Sequence, residues 1–458
     1  MFYSSLGQAD KLEKFEDGVI AIMETQPIQV QPAVTKKIAS KALIASLIGS
    51  SIEWFDYFLY GTVASLVFTT LFFPNHDPVV GLLLSYVSFA LPFFIRPLGG
   101  IIFSHIGDRV GRKTTLVMTL SLMGGATVLI GCLPDYETIG VWAPILLITL
   151  RCIQGLGIGG EWGGALLLAV EYSNKNSRGF FGSIPQIGVT IGMLLGTLSI
   201  TILTTVLNDA QFMSWGWRIP FILSALLVFL GLWIRKGLDE TPAFKEAKES
   251  GNVTKVPIVE TLRYHWRAVL IAVGAKVVET GPFYIFGTFI IAYATEYQGY
   301  ERTVALNAVT IAVLVATIMI PLMGKLSDKV GRKPLYIGGT IAILLYAFPY
   351  FYLVSLQSDI LLILATVIGL GILWAPVTAV LGTMFTEIFT TNVRYTGVTL
   401  GYQLGAALAG GTAPLIATAL LSAYSNSYIP VALYIVATSV ISLFAIYFAK
   451  EKSNEELD

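Results

Sequence analysis

Charge is what this chain has least of. Of its 458 residues only 13% are Asp, Glu, Lys or Arg, and 55% are hydrophobic; an average soluble domain is about 25% charged. A soluble globular reading is therefore excluded. The formal net charge is zero, which gives no footing for a nucleic-acid partner. The two cysteines, Cys132 and Cys152, fall inside apolar runs and supply no disulfide framework. The three histidines, His76, His105 and His265, are too scattered for a metal site. No Gly-x-x-x-x-Gly-Lys-Ser/Thr loop is present, so direct drive by ATP is not expected. No hydrolytic triad or paired-carboxylate catalytic site is legible either. The sequence thus predicts neither an enzyme nor a cofactor. Residues 1–40 lack the basic start and apolar core of a cleaved signal peptide. They are read as a cytoplasmic extension, with a surface helix or disorder around 12–23.

What the chain has instead is long apolar runs, many beyond the roughly 20 residues that span a bilayer. Twelve spans are predicted, at about 42–70, 79–105, 113–133, 142–170, 179–207, 216–235, 265–295, 303–323, 334–354, 359–386, 395–422 and 428–449. With both termini in the cytoplasm, 24 of the 29 lysines and arginines fall in cytoplasmic segments, and only Arg218 and Arg302 fall outside. That asymmetry fixes the predicted orientation. The domains follow: a six-span bundle at 41–236, a cytoplasmic connection at 237–264, a second bundle at 265–450 and a tail at 451–458.

The chain repeats itself. Gly107-Asp108-Arg109-Val110-Gly111-Arg112-Lys113 recurs as Ser327-Asp328-Lys329-Val330-Gly331-Arg332-Lys333. Glu171 and Arg178 recur in the same way as Glu387 and Arg394. All eight charges, Asp108, Arg112, Glu171, Arg178, Asp328, Arg332, Glu387 and Arg394, fall on the predicted cytoplasmic side. One reading is a gate of ion pairs that latch the two halves in one state. The other is interfacial charge that only sets topology.

The doubled loop resembles the signature of the major facilitator superfamily, although Ser104 stands where its leading Gly would be in the first copy. Ile52-Glu53-Trp54-Phe55-Asp56-Tyr57, Arg96-Pro97-Leu98-Gly99-Gly100, Arg151-Cys152-Ile153-Gln154-Gly155 and Gly159-Gly160-Glu161-Trp162-Gly163-Gly164 are similar to segments of its metabolite:proton symporter family. So are Trp215-Gly216-Trp217-Arg218-Ile219-Pro220 and Gly401-Tyr402-Gln403, and the shikimate-transporter branch is the most alike. The resemblance implies an all-α membrane protein of two pseudo-symmetric six-helix bundles, working by alternating access. It also implies a monomer in the bacterial inner membrane that takes up a small polar metabolite with protons.

Charges inside the bilayer cost roughly 2.5–3.5 kcal/mol each on insertion scales, so they mark candidate function. Glu53 and Asp56 share a face of span one that Tyr60 continues. They are the first candidates for proton coupling, with Arg151 and Glu161; one acid paired to an arginine for structure is the alternative. Arg151-x-x-Gln154 resembles a span-four motif linked to coupling in this superfamily. Arg96 could anchor substrate or pair with an acid. Lys276 and Glu279 either contact substrate or satisfy each other as an i,i+3 pair. Trp374, before Pro376, offers an aromatic wall, and Tyr402 and Gln403 offer hydrogen bonds. Gly155, Gly157 and Gly160 fit a dinucleotide fingerprint by spacing but lie in a membrane span, where small residues allow close helix packing.

The expectation is a proton-coupled symporter for a carboxylate-bearing metabolite: a shikimate-like acid, a dicarboxylate, or proline or betaine. A proton-antiporting exporter and a non-transporting sensor are the alternatives. Span five lacks the Gly-Pro motif of exporters, reading Gly188, Gly192, Gly196.

Overall fold

The computed structural model describes residues 36–74, 78–110, 112–159, 162–171, 173, 175–236, 258–389, 393–453 and 455. The helical body is the unit Lys41–Asp458. Its helices form twelve rods. In the first half they are α1 (Lys36–Val63), α2 (Pro78–Val110), α3 (Arg112–Cys132), α4 (Trp142–Ile158, resuming as Trp162–Glu171), α5 (Arg178–Val206) and α6 (Arg218–Lys236). In the second they are α7 (Trp266–Tyr284), α8 (Arg302–Val330), α9 (Arg332–Ser355), α10 (Asp359–Thr366, resuming as Ala375–Ile388), α11 (Arg394–Ala409, resuming as Thr412–Ala423) and α12 (Ile429–Tyr447). Among the described residues eight helices are long and apolar enough to cross a bilayer, and the bent pair Asp209–Gly216 and Arg218–Trp233 makes a ninth. The rods match the predicted spans in number and order.

Their outer faces carry large apolar side chains such as Phe229, Leu345 and Phe444, each about two-thirds exposed or more. In water such a surface would aggregate; in hydrocarbon it is the solvated face. Helices in lipid gain little by burying more of the same, so close contact depends on small residues. The stripe Gly188, Gly192, Gly196 on α5 shows this. A Cβ at Gly192 would stand 2.6 Å from the Phe55 backbone nitrogen and 2.7 Å from the Ser51 carbonyl oxygen of α1. The stripe is thus the seat of α1. Gly155 and Gly157 seat α4 in the same way, against Pro92 of α2 and Thr119 of α3, and no nucleotide fold surrounds them. Across the halves, Gly179 of α5 and Gly324 of α8 meet backbone to backbone.

Several rods change their hydrogen-bond register part-way. π turns occupy Ala64–Phe68 after α1, Ile285–Phe289 and Tyr293–Tyr297 after α7, and Val367–Leu373 within α10. Such turns free backbone groups and re-aim side chains. Trp374 sits at the break that follows the α10 turn, before Pro376. Gly331, between α8 and α9, has φ +96°, a conformation open to glycine. That is why the loop motif carries a glycine there.

Candidate functional site

The intramembrane charges converge on the centre of the body. Glu53, Asp56, Arg96, Arg151, Lys276 and Glu279 are each at most 4% exposed.

In the first half a relay links a base to an acid. Arg151 Nη1 donates to Gln154 Oε1 at 2.7 Å, and Gln154 Nε2 donates to Thr127 Oγ1 at 2.6 Å. The Thr127 hydroxyl in turn bonds Asp56 Oδ2. Three helices build this line: α1 supplies Asp56, α3 supplies Thr127, and one turn of α4 supplies Arg151 and Gln154. The other oxygen, Asp56 Oδ1, is buried with no hydrogen-bond partner among the described residues. Arg151 also lies over the Tyr60 ring, 3.8 Å from its centroid. Tyr60 is held further by a 2.6 Å hydrogen bond with Ser88, so it braces the relay.

Arg96 is a different kind of cation. Its guanidinium is packed against the rings of Tyr57 at 4.1 Å, Phe93 at 4.6 Å and Trp54 at 5.7 Å. Nε donates to the Tyr57 hydroxyl at 3.2 Å. Nη1 and Nη2 are buried and, among the described residues, have no hydrogen-bond partner. Buried polar groups are nearly always satisfied, so a two-pronged donor left open among the described residues marks Arg96 as a candidate anchor for an acceptor. Glu53 lies within electrostatic reach of this arginine.

The second half contributes a nailed-down ion pair. Lys276 donates to Glu279 Oε2, which Thr280 also reaches at 2.8 Å. Thr378 bonds Oε1 at 3.1 Å, and Trp374 Nε1 donates to the Glu279 backbone carbonyl at 2.6 Å. Lys276 and Glu279 therefore do satisfy each other. Lys276 Nζ also stands 3.7 Å over the Tyr402 ring, and Trp162 of the first half stacks on Tyr402 at 3.6 Å. Gln403 adds a 3.5 Å contact to the Gly159 carbonyl, while its Oε1 has no hydrogen-bond partner among the described residues. Trp374 stacks on Phe283 and Phe58 packs edge-on to Phe283, so the space between the halves is walled by aromatic rings.

One face of the body carries the repeated charges, in contacts that would act as a latch. Asp328 of α8 accepts from the backbone N–H groups of Gly179 and Phe180 at 2.7 and 3.0 Å, capping α5 from the opposite half. Asp328 also pairs with Arg332 at 3.1 Å, and Arg332 with Glu387 at 3.3 Å. Arg394 bonds the Thr386 and Phe389 carbonyls at the end of α10. Arg178 donates to the Glu455 carbonyl at 2.8 Å, and Glu451 accepts from the Lys333 N–H at 2.7 Å. The C-terminal tail thus lies across the latch. Glu161 and the side chains of Asp108, Arg112 and Glu171 lie outside the described residues, as do residues 12–23 and 237–257.

Sequence reasoning missed Thr127, Trp162 as a stacking partner, and the tail. Gln154 was named with Arg151 in the span-four motif, three residues on and on the same helix face.

Residues 46–410 and 281–458 match the family model described as Major Facilitator Superfamily. The chain is 39% identical over 415 residues to the Shikimate transporter of Escherichia coli (strain K12), covering 90% of this chain and 95% of that one. It is also 39% identical to the Inner membrane metabolite transport protein YhjE of the same organism, over 91% of this chain and 96% of that one. It is 35% identical to the Glycine betaine/proline/ectoine/pipecolic acid transporter OusA of Dickeya dadantii (strain 3937), over 91% and 84%. Among solved structures, the xylose transporter XylE from E. coli, partially occluded and inward open, superposes with TM-score 0.70 at 18% identity, covering 92% of this chain and 99% of that one. At that identity the likeness concerns the fold alone.

Proposed function

This chain belongs to the major facilitator superfamily and is a multi-pass membrane transporter of small molecules, and we propose that it is a symporter that imports a carboxylate-bearing metabolite together with protons. The open guanidinium fork of Arg96 carries this reading. A carboxylate would meet both Nη groups at once, in the bidentate geometry that arginine favours. The relatives support the same chemistry, since shikimate, proline and betaine all bear a carboxylate. Asp56 takes the proton, at its unpartnered Oδ1. The relay through Thr127 and Gln154 ties that event to Arg151, which keeps its own charge. Lys276, Glu279, Trp374, Tyr402 and Gln403 form the opposing wall of the substrate site.

Coupling has a physical reason. Bringing an anion into a negative-inside cell is opposed by about 2.3 kcal/mol per charge per 100 mV, and a co-transported proton removes that opposition. The bundles at 41–236 and 265–450 rock about the site with both termini cytoplasmic, and the Asp328 latch closes the cytoplasmic face.

The test is proton movement in proteoliposomes that hold a pH dye, across a panel of carboxylates and zwitterions. Saturable internal acidification by one compound is expected. It should vanish in Asp56→Asn, which still binds substrate, whereas Arg96→Gln should lose binding itself. Substrate uptake with no proton movement would overturn the coupling, and undiminished binding in Arg96→Gln would overturn the anchor.

A further inference from the structure

A cleft of about 450 Å³ opens on the side of the body. It lies on the seam between the halves. Phe94 and Pro97 of α2 form one wall, Trp266 and Leu270 of α7 a second, and Leu404 and Leu408 of α11 a third. The lining is apolar throughout, so neither water nor a charged metabolite is suited to it. Phe94, Leu270 and Leu408 are half-exposed or more, which places the mouth on the hydrocarbon-facing surface.

Two arginines stand at one end of the cleft. Arg263 and Arg267 flank Trp266, on the helix Ile258–Tyr264 and the first turn of α7. Both are exposed. Among the described residues neither has a carboxylate partner; their recorded contacts are the neighbouring rings of Tyr264 and Trp266. By the alternation of the rods this end is the latch face. Trp and Tyr beside Arg at a span end mark headgroup depth.

We propose that the cleft holds an acyl chain of an anionic phospholipid whose headgroup is gripped by Arg263 and Arg267. The apolar trough alone would accept any lipid tail. The two guanidinium groups at its end, without a carboxylate partner among the described residues, favour a head of net negative charge over one whose own ammonium offsets its phosphate. Because the walls come from both halves, the seated chain touches α2 on one side and α7 and α11 on the other. Any rocking of the halves must reshape that seat, so lipid occupancy and the transport cycle are linked. The assignment does not depend on which solute is carried.

Native mass spectrometry of the full chain tests this, with dioleoylphosphatidylglycerol and dioleoylphosphatidylcholine as probes. The first phosphatidylglycerol should bind at least about tenfold more tightly than phosphatidylcholine, given roughly fivefold per arginine near the headgroups. Arg263→Gln with Arg267→Gln should bring the two lipids level. Leu404→Trp, which fills the trough, should remove one tightly bound lipid while both arginines remain. If Leu404→Trp does not fold, Leu408→Trp, on the more exposed part of the same wall, makes the same measurement. Equal affinity for the two lipids in the unaltered protein, or an unchanged count of tight lipids once the trough is filled, would overturn the assignment.

Discussion

Thr127 has one hydroxyl hydrogen and two acceptors for it, the Asp56 carboxylate and the Met123 carbonyl at 3.0 Å. Gln154 meanwhile donates to the same oxygen. When Asp56 is ionised the hydrogen serves the carboxylate. A proton on Asp56 lets Thr127 return its hydrogen to Met123, so the relay changes state without moving a heavy atom. Thr127→Val keeps the shape and removes the hydroxyl. Hydrogen bonds to charged groups contribute about 1.5–3 kcal/mol, so proton-coupled uptake should fall at least about tenfold while substrate affinity, read by equilibrium binding, stays put. Gln154→Leu should do the same, and the double variant should cost less than the two losses combined, because both break one line. Uptake in Thr127→Val at the unaltered rate would sink the relay. The charged members of this site were legible, because an Asp or Arg in a hydrocarbon span is conspicuous. Thr127 was not. Threonine is commonplace in membrane helices, and its partner lies 71 residues away. Arg96 was legible as a cation but not as an open fork, since that depends on Tyr57, Phe93 and Trp54 covering its faces.

At the scale of elements, the glycines of α5 were visible as a stripe of period four, and their use is now explicit as the seat of α1. Gly192→Leu should cost about 1–3 kcal/mol by overpacking, read as a lower unfolding temperature in detergent. Gly125 of α3 has nothing within 4 Å of an added Cβ. There Gly125→Ala should raise stability by about 0.4–1 kcal/mol, through the unfolded chain. A tolerated Gly192→Leu would show that α1 is not seated on the stripe. The π turns could not be read from the chain. A shift of one residue in hydrogen-bond register leaves hydrophobic periodicity almost untouched. It is settled by packing, as where Trp374 keeps its backbone N–H on the Gly369 carbonyl while its indole N–H reaches the Glu279 carbonyl.

On the scale of the whole molecule, the twelve spans were readable because a bilayer demands length and a fixed sidedness of charge. The duplicated charges were readable as candidates for a gate. Their partners were not, because capping of α5 by Asp328 joins residues 149 apart. Asp328→Asn removes the charge facing the helix N-terminus, an effect of up to about 2 kcal/mol in a partly buried setting. Maleimide labelling of a cysteine placed at Ser183, just inside the latch, should then quicken by tenfold or more. Unchanged labelling would sink the latch. The tail adds a pH dependence. Burial tends to raise the Glu451 carboxyl, but hydrogen bonds from Lys333 and Ser453 outweigh it and hold the group below its ordinary 4.5. Its contribution is therefore complete above pH 4.5 and lost as pH falls through the lower folded value. Labelling should rise on acidification beyond that point, and Glu451→Gln should remove the tail's share of the rise, leaving that of Asp328 and Glu387.

The two faces of the body are fastened differently. On the latch face the paired side chains Asp328, Arg332 and Glu387 are 2–8% exposed. On the opposite face the halves are bridged by Arg302 and Asp209, 3.7 Å apart and 32% and 97% exposed. Dissolved ions reach the second pair and hardly touch the first. An exposed pair is worth at most about 1 kcal/mol, so raising the ionic strength of the medium trims a weak fastening on the far face and leaves the buried cluster as it was.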